Sequence, residues 1–134
     1  MTQRQEITSG APWEERVGYT RAVRVGDHIA VSGTTAVDRE GRIVGRGDAY
    51  AQVLYCFEII AAALEEAGAS LDDVVRTRVY LARIDDWQAA GRAHREVFTN
   101  TRPASTMLEV SRLIGDSMLV EVEADAILGG RNKK

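Results

Sequence analysis

Cysteine, histidine and long apolar runs are all scarce in this chain. A single cysteine, Cys56, can close no disulfide within the chain, so a reducing, cytoplasmic compartment is the simplest expectation. Two histidines, His28 and His94, with that one Cys supply none of the usual zinc spacings, so neither a metal nor another cofactor is expected. The apolar run Ile59–Leu64 is far short of the ~20 residues of a membrane span. The leading MTQRQEITSG is polar and lacks the apolar core of a secretory signal. No excess of positive charge exists either. Lys plus Arg is 17 against 20 Asp plus Glu, a net charge of −3 that aids solubility and gives nucleic acid no footprint. Gly41, Gly45 and Gly47 lack the strand-to-helix setting and the lysine of a phosphate loop. No Ser-His-Asp or Cys-His arrangement has supporting spacing.

What is present is a globular balance: 134 residues, 45% hydrophobic and 28% charged, enough for one domain over 1–134 and one core. Residues 1–16 read as a polar N-terminal arm that becomes ordered near Trp13, and 129–134 read as a flexible tail. Between them, Tyr19–Val25 and His28–Gly33 predict a hairpin around Gly26-Asp27. A second turn at Asp38–Gly41 leads to a short segment around Ile43-Val44. Asp48 can cap a helix running to about Ala67, with Val53, Phe57, Ile60 and Leu64 at helical spacing and Gly68 as terminator. Ser70–Asp73 predicts a helical turn before the strand Val74–Leu81. That strand's apolar face is expected to hold Val75, Thr77, Val79 and Leu81. A second helix follows Asp85, its apolar stripe formed by Trp87, Ala90, His94 and Phe98. Pro103 ends it, and the strands Ala104–Val110 and Leu119–Ile127 complete the chain. Two amphipathic helices need an apolar sheet face to cover. The expectation is therefore an α+β fold, a mostly antiparallel sheet with two helices on one face.

The other sheet face would carry Arg76, Arg78, Tyr80, Glu121, Glu123 and Asp125. Two readings fit: a solvated face, or a polar interface between subunits in which charges pair and set the register of association.

Three stretches together resemble the Rid family, also called YjgF or L-PSP. They are the hairpin ending Val31-Ser32-Gly33-Thr34, the run Asp73–Leu81 followed by Ile84–Trp87, and Arg102-Pro103-Ala104 with Leu108–Val110, Arg112-Leu113 and Val120–Ala124. The resemblance spans about Gly18 to Ile127. It implies a chorismate-mutase-like fold and a homotrimer whose sheets form a central barrel. It also implies a cleft at each subunit interface, and hydrolysis of enamines or imines such as 2-aminoacrylate to carbonyl compounds and ammonia. A non-catalytic, ligand-binding or regulatory trimer is the alternative. A ribonuclease follows only from the family's older naming and sits poorly with the acidic balance.

The resemblance also assigns residues. Glu121 matches the carboxylate that orients or activates water; Tyr19 matches a cleft tyrosine, and the Gly33 N–H matches a donor to the substrate carboxylate. Ser32 and Thr106 are candidate cleft hydroxyls. The family's carboxylate-clamping arginine follows the Pro-Ala pair, but this chain has Ser105 there, which cannot offer a bidentate cation. Activity on 2-aminoacrylate is therefore in question, and a different small ligand, still a carboxylate, is expected. Arg21 is the candidate replacement, because strand periodicity places it on the face of Tyr19. The residues themselves also fit plainer roles. Glu121 can pair with Arg76 or Arg78, and Arg21 with Glu14 or Glu15. Gly33 can serve a close backbone approach, and Ser105 can be a spacer. Cys56 reads as a small core residue and His94 as a packed one.

Overall fold

The computed structural model describes residues 3–129. Its strands are β1 (Arg4–Ile7), β2 (Ala22–Val25), β3 (His28–Thr34), β4 (Val74–Leu81), β5 (Ala104–Glu109) and β6 (Val120–Ile127). They form one six-stranded sheet in the order β1-β2-β3-β6-β4-β5. Neighbours are antiparallel except β4 and β5, which are parallel. A parallel pair needs a crossover, and α3 (Trp87–Val97) provides it. The long helix α2 (Ala49–Glu66) packs on β3, β6 and α3. This is the expected α+β architecture. No helix among the described residues is long and apolar enough to cross a membrane.

Local chemistry accounts for most boundaries. Gly26, with φ 61°, takes the first central position of the two-residue β2–β3 turn, where a side chain would be strained. Asp48 caps α2 by accepting the Ala51 N–H at 3.1 Å. Val53, Phe57, Ile60 and Leu64 are almost fully buried, and each contributes roughly 1.5–3 kcal/mol by leaving water. Val120, Val122, Ala124 and Ala126 face them from β6.

The structure departs from the sequence reading in several places. Residues within the supposed arm form β1 and a short helix α1 (Pro12–Val17). Buried Ile7 pairs with Ala22, while Pro12 opens α1 and Gly18, with φ 89°, closes it. The first hairpin strand therefore begins at Ala22 and not at Tyr19. In β4 a register shift between Val74 and Arg76 makes Val74 the buried residue and leaves Val75 half-buried. On α3, Ala90 and Ala93 are buried, whereas Trp87 is 53% exposed and leaves the stripe. Within the proposed tail, residues 130–134 lie outside those described.

Candidate functional site

An open cleft of about 1370 Å³ lies between α1, the loop after β3, α2 and the loop before β6. Tyr19, Arg21, Gly33 and Glu121 line it, four of the seven residues singled out from sequence.

Gly33 and Glu121 meet where β3 is irregular against β6, between Val31 and Thr34. The Glu121 carboxyl lies over Gly33 so closely that a β-carbon there would stand 3.0 Å from Glu121 Cδ and nearer still to Oε2. Glu121 is half-buried, and burial raises its proton affinity above that of an ordinary carboxylate. Repulsion from Glu123 adds to the rise and Arg21 opposes it. Among the described residues Glu121 makes no ion pair; Arg78 pairs instead with Glu123 at 3.3 Å and Asp125 at 3.4 Å.

Arg21 is turned into the fold and is 6% exposed. Its Nη2 lies 3.4 Å from Glu14 Oε2, and its Nη1 donates to the Gly33 carbonyl at 2.7 Å and to Thr34 Oγ1 at 3.2 Å. Its Nε is buried without a partner, and its Cζ lies 5.6 Å from the Tyr19 ring centre. Glu14 is 6% exposed, and it also accepts from the Ser9 backbone N–H and from the Ser9 hydroxyl. Of the two roles the sequence left open for Arg21, the ion pair with Glu14 is thus present in the structure. The sequence leaves Glu14 and Glu15 open as that partner, and α1, absent from the polar-arm reading, selects Glu14. Pro12 followed by Glu14 and Glu15 was the available helix-start signal.

Ser32, Ser105 and Thr106 are not among the cleft-lining residues. The Ser32 hydroxyl donates to the Thr20 carbonyl at 2.6 Å. Ser105 lies opposite Thr77 in the parallel pair and accepts from its hydroxyl at 2.8 Å. Thr77 Oγ1 is in turn 2.8 Å from His94 Nε2. Burial lowers the proton affinity of His94, whose ring packs against Phe57 and Phe98. Thr106 is exposed, opposite Arg78. Glu121 pairs with Tyr80, and Tyr80 with Leu108. Ser105 therefore lies roughly 10 Å along the sheet from Glu121, and two strand spacings, roughly 10 Å, across it. One chain does not bring the two residues to a common small ligand.

Cys56 lies fully buried beneath this region and donates from Sγ to the Thr34 carbonyl at 3.2 Å. Burial pushes its thiol far up, and nearby Glu121 adds to this. It is a core residue and no nucleophile. No group of His, Cys, Asp and Glu able to hold a metal occurs among the described residues.

This geometry can be set beside known proteins. The family described as Endoribonuclease L-PSP matches residues 10–128. An uncharacterised protein of Streptomyces coelicolor is 42% identical over 125 residues, 93% of this chain and 92% of its own. A RutC family protein of Pyrococcus abyssi is 42% identical over 108 residues, 81% of this chain and 84% of its own. Among solved structures, a member of the YjgF/YER057c/UK114 family from Mycobacterium tuberculosis superposes with a TM-score of 0.85 at 41% identity. It covers 94% of this chain and 100% of its own. With its fold matched across nearly the whole length and its family profile across residues 10–128, the chain belongs to the YjgF/L-PSP family, also called Rid.

Proposed function

We propose that this protein hydrolyses a reactive enamine or imine to a carbonyl compound and ammonia, in a cleft that a second subunit of a homotrimer completes. The observation that carries the reading is the half-buried Glu121 carboxyl, held over Gly33 in an open cleft with its proton affinity raised. A half-buried carboxylate facing a cleft, with a proton affinity above the ordinary one, is suited to taking a proton from water and returning it to the substrate. Water adds through its oxygen to the C=N carbon while Glu121 accepts its proton. That proton passes to nitrogen, giving a carbinolamine; Glu121 then carries the remaining hydroxyl proton to nitrogen as the C–N bond breaks and C=O forms, and ammonia leaves. An enamine first takes a proton on carbon to become the iminium.

The 41% and 42% identical relatives support placement in the family, and their names specify no reaction. The separation of Ser105 from Glu121 within one chain supports a cleft shared between subunits. The charge balance of −3 gives RNA no electrostatic footing and disfavours a nuclease. Ammonia release from a panel of enamines generated in place, compared between wild type and Glu121→Gln, tests the proposal. The expected result is acceleration over buffer that falls at least a hundredfold in the variant. Absence of acceleration by wild type on every member overturns it in favour of a non-catalytic binder.

A further inference from the structure

We infer that the ligand of this cleft is a neutral or cationic imine carrying a bulky apolar or aromatic group, and not a small carboxylate. The inference rests on the cleft assigned above and concerns what that cleft can recognise.

A carboxylate attached to the reacting carbon needs a cation within hydrogen-bond reach. Neither candidate position supplies one. Position 105 is a serine whose hydroxyl is bound to Thr77, on the side of the sheet where His94 packs. Arg21 is the lining arginine that acts electrostatically on Glu121, but its guanidinium is committed. Nη2 faces Glu14, Nη1 serves the Gly33 carbonyl and Thr34, and Nε is closed off from solvent. The Arg21 charge faces Glu14 and its unpartnered Nε is closed off from solvent, so an incoming anion gains little from it.

The rest of the lining points the same way. Two further arginines line the cleft: Arg16, which lies 5.5 Å from the Trp13 ring centre, and Arg39 on the loop after β3. Against them stand Asp38, Glu40, Glu58, Glu66 and Asp116, with Glu121 at the reacting end. On the walls that this chain builds, a carboxylate leaving water meets net like charge, whereas a protonated imine meets opposite charge. Trp13, Tyr19 and Tyr55 add aromatic faces, which attract cations and cover apolar groups.

Three ligands of nearly equal shape separate the charges: phenylacetamidinium, phenylacetamide and phenylacetate. By calorimetry on the intact protein, the amidinium is expected to bind at least tenfold more tightly than phenylacetate, with the amide between them. Glu121→Gln should reduce the advantage of the amidinium over the amide at least threefold. Phenylacetate binding as tightly as the amidinium overturns the inference, as does failure of all three to bind at millimolar concentration. A turnover arm separates this from the proposed reaction. An amine oxidase acting on phenethylamine supplies an imine without a carboxylate, and an amino-acid oxidase acting on phenylalanine supplies the imino acid. Faster hydrolysis of the first supports the inference. Faster hydrolysis of the imino acid overturns it and leaves the hydrolase reading standing. The amidinium preference without acceleration of either imine sinks the hydrolase reading and leaves the ligand class intact.

Discussion

The carboxyl of Glu121 occupies the space that a side chain on Gly33 would need. Gly33 is not among the glycines with positive φ, so its backbone does not demand glycine. The close approach of Glu121 does, at an irregularity between two strands. Gly33→Ala should leave the fold standing, because the obstructing atoms are the far end of a movable side chain. It should displace the carboxyl and weaken cleft ligands or turnover about tenfold. Circular dichroism with calorimetry checks both halves; unchanged ligand affinity would mean that the position of Glu121 is immaterial.

Arg21 stands between two carboxylates of unlike roles, Glu14, which it pairs with, and Glu121, whose ionised form it favours. Removing the cation by Arg21→Met should raise the proton affinity of Glu121 further. Removing the competing anion by Glu14→Gln should lower it, because the Arg21 charge is then less neutralised. Carbon-13 titration of the Glu121 carboxyl reads the two shifts directly, without any assay of activity. Shifts of the same sign in both variants would show that they act through general loosening. Each variant leaves a buried charge unpaired, so each should also cost about 3–5 kcal/mol of stability.

The raised proton affinity of Glu121 sets the sign of a stability effect. Its folded-state pKa lies above the unfolded one, so the folded state holds the proton more tightly. The favourable contribution is complete below the unfolded value, ~4.3, and is lost as pH rises through the folded value. Glu121→Gln should therefore melt higher than wild type at pH 7, the difference closing toward pH 4. His94 behaves oppositely. Its folded pKa is lowered by burial, so its contribution holds above the unfolded value of ~6.5 and fades as pH falls. A Glu121→Gln protein that melts lower than wild type at pH 7 would mean that the carboxylate has a stabilising partner.

Periodicity and turn chemistry made most of this fold legible. The alternation Val120, Val122, Ala124, Ala126 against Glu121, Glu123, Asp125 is the buried and half-buried alternation of β6, and Asp48 and Gly68 bracket α2. β1 was hidden because three of its four residues are polar and exposed, and only Ile7 reports the core. The register shift that buries Val74 in place of Val75 depends on β6, a distant segment, so local pattern could not carry it. The same holds for the site. Glu121, Gly33 and Tyr19 were reachable through the family resemblance. The Thr77–Ser105 bond, however, requires the parallel pairing of β4 and β5, and the choice of Glu14 over Glu15 as the partner of Arg21 requires α1.

The polar sheet face yields the last prediction. Arg78 bridges Glu123 and Asp125, and the Tyr80 hydroxyl donates to Glu123 at 2.9 Å. The Arg78, Glu123 and Asp125 side chains remain 39%, 31% and 28% exposed in the single chain. A network so exposed contributes little to one chain's stability, since solvent screens it. Covered by another copy, the same charges would select partner and register. Apolar Leu108 and Ile114, 41% and 68% exposed, are also left without cover. If this face is covered in the homotrimer that the family resemblance implies, the protein should run near three times 14.7 kDa by light scattering at micromolar concentration. Arg78→Glu would set three carboxylates side by side and should drive the mass toward one chain. The monomer's fold should survive, because the network is peripheral to the core. Cleft ligands should then be lost together with the assembly. A wild-type monomer at physiological salt would overturn the shared cleft, and an Arg78→Glu trimer would show that this face lies outside the interface.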